Sequence, residues 1–233
     1  MFTREELLIG DKIDLIKSKT VLVLGLGGVG GYVIESLVRA GIGKLIIVDN
    51  DYIDLSNLNR QVISLHSNIG SKKVDAWYDR IKDINPLCEV IKIDEFITID
   101  NIEILFKQTI DYVVDACDTV STKKELIRKC IKYKIKCISS MGTGNKLDPS
   151  RLKIMDVRKT SYDPIAKILR KMVKDENIKE KIMVICSDEV PIKTGTVIGS
   201  ISFVPSVAGL LCTSYIINDI LGDKNEKNGR RSN

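Results

Sequence analysis

The chain has 233 residues, 44% of them hydrophobic and 29% charged, enough apolar material to bury one substantial core. A formal charge of +5 is mild, and six cysteines over this length exclude a disulfide-dense small scaffold, so free thiols in a reducing compartment are expected. The charged residues Arg4, Glu5 and Glu6 at the start speak against a secretory signal peptide.

In chain order, the first predicted element is a leading helix over residues 3–17, opened by a capping box of Thr3 and Glu6. Thr20–Leu24 is a β-favouring run that enters a turn containing Gly25, Gly27, Gly28 and Gly30. Missing side chains let such a turn curve tightly and approach a diphosphate. A helix over 28–40 follows and points its unpaired amides and positive dipole end at that anion. The next strand, Lys44–Val48, delivers Asp49 to the place where a ribose hydroxyl sits in dinucleotide-binding folds. A glycine turn alone suits any α/β protein; the strand before it, the helix after it and the acid beyond it favour a nucleotide.

Asp51, Asn57, Asn59, Arg60 and Gln61 come next, followed by Gly70, Ser71, Lys72 and Lys73. A nicotinamide-binding module has no need of this set, whereas a triphosphate clamp does. A carboxylate attacking an α-phosphate brings like charges to about 4 Å, which costs roughly 4 kcal/mol at an effective dielectric of 20. Arg60 offers a planar fork for phosphate oxygens, Lys73 a compact point charge, and a metal ion near Asp118 the remainder. Taken singly, Arg60 or Lys73 is an ordinary solvated base; behind a glycine turn the group reads as a clamp.

Further strands are predicted near 89–94, 111–116 and 135–140, separated by helices near 70–84, 99–107 and 119–134. This alternation builds an α/β fold with a Rossmann-like, doubly wound, mostly parallel sheet. A C-terminal strand–helix extension follows: strands at 152–157 and 181–185 flank a helix capped by Asp163 and begun by Pro164. Residues 187–199 read as a polar, mobile loop able to cover a substrate. No charge falls between Lys193 and Asp219, a span long enough to cross a bilayer. Gly195, Gly199, Pro205 and Asn218 interrupt it, and Pro205 fits the first turn of a helix reaching about 221, so a buried helix in the core or at a dimer contact is expected rather than stable membrane insertion. Residues 1–222 are expected to form one nucleotide-binding domain with a core at 20–140 and a substrate or dimer part at 141–222; 223–233 reads as a disordered basic tail.

Basic residues gather twice, at Lys123, Lys124, Arg128, Lys129, Lys132, Lys134 and Lys136, and at Lys167, Arg170, Lys171, Lys174, Lys179 and Lys181. Both clusters fit either an RNA backbone or a solvated helix face. The single histidine, His66, reads as a loop residue near the nucleotide. Cys88, Cys117, Cys130, Cys137, Cys186 and Cys212 include no CxxC pair, so no zinc site is expected.

GxGGVG at residues 25–30, DxDxIDxSNLNRQ at 49–61, GxxK ending at Lys73, INP at 84–86 and VVDACD at 113–118 together resemble the ATP-dependent adenylating enzymes related to ubiquitin-activating enzyme. That family includes sulfur-carrier adenylyltransferases and tRNA threonylcarbamoyladenosine dehydratases; residues 2–10, 142–170 and 199–211 incline toward the dehydratases. The resemblance implies an ATP site lined by Gly27, Gly28, Asp49, Asn57, Arg60, Lys73 and Asp118, with Asp118 as the acid associated with Mg2+. It implies a cytoplasmic homodimer in which Arg4 reaches the ATP site of the partner subunit. The implied reaction is attack on ATP by the threonylcarbamoyl carboxylate of a modified tRNA adenosine, then ring closure with loss of AMP. Cys186 and Cys212 are the thiol candidates if a thioester or a sulfur-transfer partner takes part, and a monovalent cation is a further possible ligand. A sulfur-carrier adenylyltransferase of thiamine or molybdopterin type is the alternative.

Overall fold

The computed structural model describes residues 1–193 and 195–222; the tail expected at 223–233 lies outside the described residues. Seven strands, β1 (Thr20–Leu24), β2 (Lys44–Val48), β3 (Glu89–Ile93), β4 (Tyr112–Asp115), β5 (Lys136–Ser140), β6 (Leu152–Asp156) and β7 (Met183–Ser187), form one sheet in the order β3-β2-β1-β4-β5-β7-β6. Every neighbouring pair is parallel except β6 and β7. The doubly wound, mostly parallel expectation is borne out.

The strands at the centre are unbroken apolar runs because both sheet faces are covered. Val21 and Val23 of β1 pack with α2 (Ile13–Lys17), α3 (Gly30–Arg39), α4 (Lys73–Ile84) and α7 (Phe203–Leu221). Leu22 and Leu24 point the other way, to Leu126 and Cys130 of α5 (Val120–Tyr133). A third cluster joins β7 to α6 (Pro164–Asp175), which Asp163 caps by accepting from Ala166 N at 2.8 Å. Strand order reverses between β1 and β4, and the crevice at the carboxyl ends of such strands is where open α/β sheets bind ligands.

Several expectations are corrected. The leading helix breaks into α1 (Thr3–Ile9), a 3-10 turn (Gly10–Lys12) and α2, with Gly10 at φ +61°. Thr3 is already helical, Phe2 occupies the cap position, and no side-chain cap bond forms. The segment predicted as a helix at 99–107 is a 3-10 turn at Ile102–Phe106, and β7 begins two residues later than expected. The loop at 187–199, expected to be polar, is mixed at the surface of its described residues, where Val190, Ile192, Val197 and Ile198 are exposed beside Lys193 and Thr196. α7 is long and apolar enough by count to cross a membrane, but Val204, Pro205, Ala208, Gly209, Cys212, Thr213 and Ile216 are buried. It lies so close to α3 that a Cβ on Gly209 would stand 2.4 Å from the Val29 carbonyl oxygen, and the Ser36 and Thr213 hydroxyls meet at 2.6 Å. Packing accounts for its uncharged run.

Candidate active site

The site begins with the turn after β1. Gly25 has φ +87°, and a Cβ there would sit 2.8 Å from the Ala116 carbonyl oxygen; one on Gly30 would sit 1.8 Å from the Gly25 carbonyl oxygen. Only glycine lets the chain fold back on itself and against the end of β4. Asp49 then fastens the turn, accepting from Leu26 N at 2.7 Å and from Asp51 N at 2.8 Å. The result is a cavity of about 520 Å³ at the carboxyl ends of β1, β2 and β4.

Gly25, Gly27, Gly28, Asp49, Asp51, Asn57, Arg60, Gln61, Lys73 and Asp118 all line this cavity. Lys73, first residue of α4 and only 4% exposed, is held by its backbone N–H on Asp51 O at 3.0 Å and by its ammonium 2.7 Å from Asp51 Oδ2 and 3.9 Å from Asp49 Oδ2. Arg60, half-buried, donates from Nη1 to Ser56 O at 2.8 Å and to Asn59 Oδ1 at 3.0 Å, which leaves other guanidinium N–H groups for a ligand. Asn57 closes a short 3-10 turn capped by Asp54, its Oδ1 accepting from Asp54 N at 3.2 Å. Gln61 Oε1 is buried with no hydrogen-bond partner among the described residues, as an acceptor awaiting a donor would be. Asp118 is exposed at the mouth, and its carboxylate makes no hydrogen bond or ion pair with the described residues.

Two expected residues do not themselves line the cavity. Gly30 lies beneath the turn, and Asn59 donates to Ser200 O at 3.0 Å, Ser200 being part of the wall. Arg4, expected at the site of a partner subunit, is exposed on α1. His66, expected near the nucleotide, is exposed on a separate 3-10 turn, His66–Asn68, and does not line the cavity.

Behind the Asp118 loop lies a buried polar cluster that sequence reasoning missed. Lys123, read as part of a surface basic cluster, is 0% exposed: its ammonium donates to Asp115 Oδ2 at 2.7 Å, Ser139 Oγ at 3.1 Å and Ser140 O at 3.2 Å. Burial opposes its charge, but the Asp115 carboxylate more than offsets that, and its pKa stands above the ordinary lysine value. The signal was present, since Lys123 shares the i, i+3, i+4, i+7 register of Leu126, Ile127 and Cys130. Half of the rest of that basic cluster is paired: Arg128 with Glu125 and Glu176, Lys129 with Glu103, and Lys136 with Asp219, while Lys124, Lys132 and Lys134 have no ion-pair partner among the described residues.

The thiols are equally specific. Cys117 lines the cavity, and its Sγ donates to Asp115 Oδ1 at 3.1 Å; burial, then the Asp115 charge, pushes it far above the usual thiol range. Cys186 and Cys212 do not line the cavity, and burial pushes them up to about 11 and about 12. All three stay protonated near neutrality, which is the unreactive form.

A glycine turn at a topological switch point, wired to an acid and ringed by guanidinium, ammonium and a free carboxylate, defines a nucleotide-phosphate site. The chain belongs to the ThiF family, which it matches over residues 5–232. It is 43% identical to the tRNA threonylcarbamoyladenosine dehydratase of Bacillus subtilis, over 95% of both chains. It is 37% identical to the Escherichia coli protein of the same name, over 77% of this chain and 69% of the relative. Its structure resembles the crystal structure of E. coli tRNA N6-threonylcarbamoyladenosine dehydratase in complex with ATP, at TM-score 0.89 and 31% identity, covering 99% of this chain and 96% of that one. The same enzyme in complex with AMP matches at TM-score 0.88 and 31% identity, over 95% and 94%.

Proposed function

We propose that this chain dehydrates the threonylcarbamoyl group of a modified tRNA adenosine at the expense of ATP. The observation that carries the reading is the set of Arg60, Lys73 and the unpaired Asp118 around the Gly25–Gly30 turn, in a chain 43% identical to a curated dehydratase over nearly its whole length. ATP lies with its phosphates over the glycine turn, where Leu26 N is already spent on Asp49 and the remaining amides and Arg60 face the anion. The threonylcarbamoyl carboxylate attacks the α-phosphorus, the bond to the bridging oxygen breaks, and pyrophosphate leaves. A neighbouring atom of the same modification then attacks the activated carbonyl, closing a ring and expelling AMP, which carries away the carboxylate oxygen. The net change to the tRNA is loss of one water.

The protein's part in this is electrostatic and geometric. Arg60 and Lys73 cancel the charge that builds as two anions meet, and the intramolecular nucleophile makes the second step a matter of proximity. No thiol is required, in keeping with the protonated Cys117, Cys186 and Cys212. Mg2+ fits the donor set, because one carboxylate together with substrate phosphates is its usual protein environment; Asp118 would hold it, and it would supply further neutralisation of the phosphates.

The site is completed by a second copy of the chain. α1 buries none of its residues, Leu7 and Leu8 are 83% and 78% exposed, and Arg4 stands on the same short helix, as suits an element that packs on a partner and lends it a guanidinium. Mixing Arg4→Ala with Asp118→Ala subunits should recover part of the ATP–pyrophosphate exchange lost in each alone. Mass spectrometry of nucleosides from tRNA incubated with the enzyme and ATP tests the reaction: the modified adenosine should lose one water. Exchange stimulated by a small protein ending in two glycines, with tRNA unchanged, would overturn it in favour of sulfur-carrier adenylation.

A further inference from the structure

Two lysine-rich helices carry the basic clusters, and their charges are disposed differently. Of the five cations of α5, three are spoken for: Lys123 is sealed in the core, Arg128 grips Glu125 and Glu176, and Lys129 is paired with Glu103, while Lys124 is half-buried and Lys132 stands exposed without an ion pair among the described residues. α6 buries Ala166, Leu169, Met172 and Val173, and on nearly the opposite side Lys167, Lys171 and Lys174 fall at i, i+4 and i+7. All three lysines are exposed, and none has an ion-pair partner among the described residues. Of the two acids at the end of the helix, Glu176 is turned to Arg128, and Asp175, one turn beyond Lys171, forms no ion pair with any of the three lysines among the described residues.

The stripe is also mechanically tied to the cleft. Asp163, the α6 cap, accepts from Gly142 N at 3.0 Å and lies 3.6 Å from the buried Lys146 ammonium, which itself donates to Gly142 O at 2.6 Å. The next residue, Thr143, lines the nucleotide cavity. Lys167 stands one helical turn from Asp163, so the row of ammonium groups starts beside the cleft wall and runs away from it for about 10 Å. An unneutralised row of that length, fixed to the rim of an active site, suits a polyanion whose reactive group must enter the site.

We propose that the Lys167, Lys171 and Lys174 face of α6 carries the phosphate backbone of the tRNA next to its modified adenosine, which deepens the tRNA reading above and rests on it. The test is a triple variant, Lys167→Gln with Lys171→Gln and Lys174→Gln, against a charge-matched variant on α5, Lys124→Gln with Lys132→Gln and Lys134→Gln. The α6 variant should raise the KM for tRNA at least about tenfold with kcat within about twofold, and flatten the slope of log K against log salt by about 2 to 3, or 0.7–0.9 per lost contact. ATP affinity and the unfolding midpoint should be unchanged, and the α5 variant should resemble wild type. An α6 variant indistinguishable from wild type, or an equal effect of the two triples, overturns the assignment to α6 while wild-type turnover upholds the reaction. Wild-type enzyme that leaves the tRNA unaltered removes the tRNA reading itself, and this surface with it.

Discussion

The cleft wall made by the ends of β1 and β2 and the start of α4 is held by short contacts: Asp49 on two backbone amides, buried Lys73 on the exposed Asp51 carboxylate, glycine against carbonyl oxygen. The opposite wall, where Thr143, Ser200 and Pro205 line the cavity, rests on loops tied together at Asn145. Asn145 N donates to Gly199 O at 2.8 Å, Ile192 N to Asn145 O at 2.7 Å, and Gly199 N to Asn145 Oδ1 at 2.6 Å. That wall leaves Leu147, Val190, Ile192 and Ile198 in solvent. A triphosphate is the same in every adenylating reaction and rewards a rigid cradle, while a bulky second substrate has to be admitted and then enclosed. On the proposed reaction, the difference between the walls is the difference between those two tasks.

Breaking the joint between the walls should have the largest effect. β4 and β5 meet there through Lys123, Asp115 and Ser139, the last pair at 2.5 Å. Lys123→Met leaves the Asp115 carboxylate buried without its cation and should cost about 3–5 kcal/mol, read as a fall in the denaturation midpoint. A cost under about 1 kcal/mol would mean that the ion pair does not hold the joint.

The rigid wall is probed next. Arg60→Ala should lower ATP–pyrophosphate exchange by about 10²–10³ while the partly exposed side chain leaves the unfolding midpoint nearly in place. Retained exchange would remove Arg60 from the phosphate clamp.

A smaller effect is expected from the thiols, of which Cys117 lines the cavity while Cys186 and Cys212 pack in the core. Cys117→Ala, Cys186→Ala and Cys212→Ala combined should keep turnover within about threefold, with a modest stability loss from the buried Cys186 and Cys212 and the half-buried Cys117. Abolished turnover in a variant that still folds would revive a thioester route.

The smallest effect concerns the support of the rigid wall, where Glu35 on α3 meets Arg80 on α4 at 2.7 and 3.1 Å. Burial pushes this carboxyl up, but Arg80 and Arg39 more than reverse that, so its folded pKa lies below 4.5. Its stabilisation is therefore complete above about pH 4.5 and is lost as pH falls through the lower folded value. Glu35→Gln should cost about 1 kcal/mol or less at neutral pH, and the two proteins should converge in acid.

These contrasts also mark what was readable from residues alone. The glycine turn, Asp49, Arg60 and Lys73 were legible because their roles arise within short stretches: a glycine is forced by its own backbone angle, and a strand–turn–helix puts the acid and the bases within reach. The partners of Asn59 were only half legible: its neighbour Arg60 donates to its Oδ1, but its amide donates to Ser200 O of the cavity wall, 141 residues away. Thr3 failed as a cap because the helix starts on it rather than after it. The polar reading of residues 187–199 missed that Val190, Ile192, Val197 and Ile198 are left exposed, because whether an apolar side chain finds a core is decided by the fold.

The amino-acid order by itself determined the alternation of strands and helices, the switch-point cleft and the phosphate-facing chemistry, because those follow from apolar periodicity and from local backbone geometry. Only the tertiary structure decided which positive charges are free. Lys123 meets Ser139 16 residues away, Lys129 meets Glu103 26 residues away, and Arg128 meets Glu176 48 residues away, while Lys167, Lys171 and Lys174 meet no acid among the described residues. Charge in a sequence is a count, but its availability depends on burial and on partners that the fold delivers from distant positions.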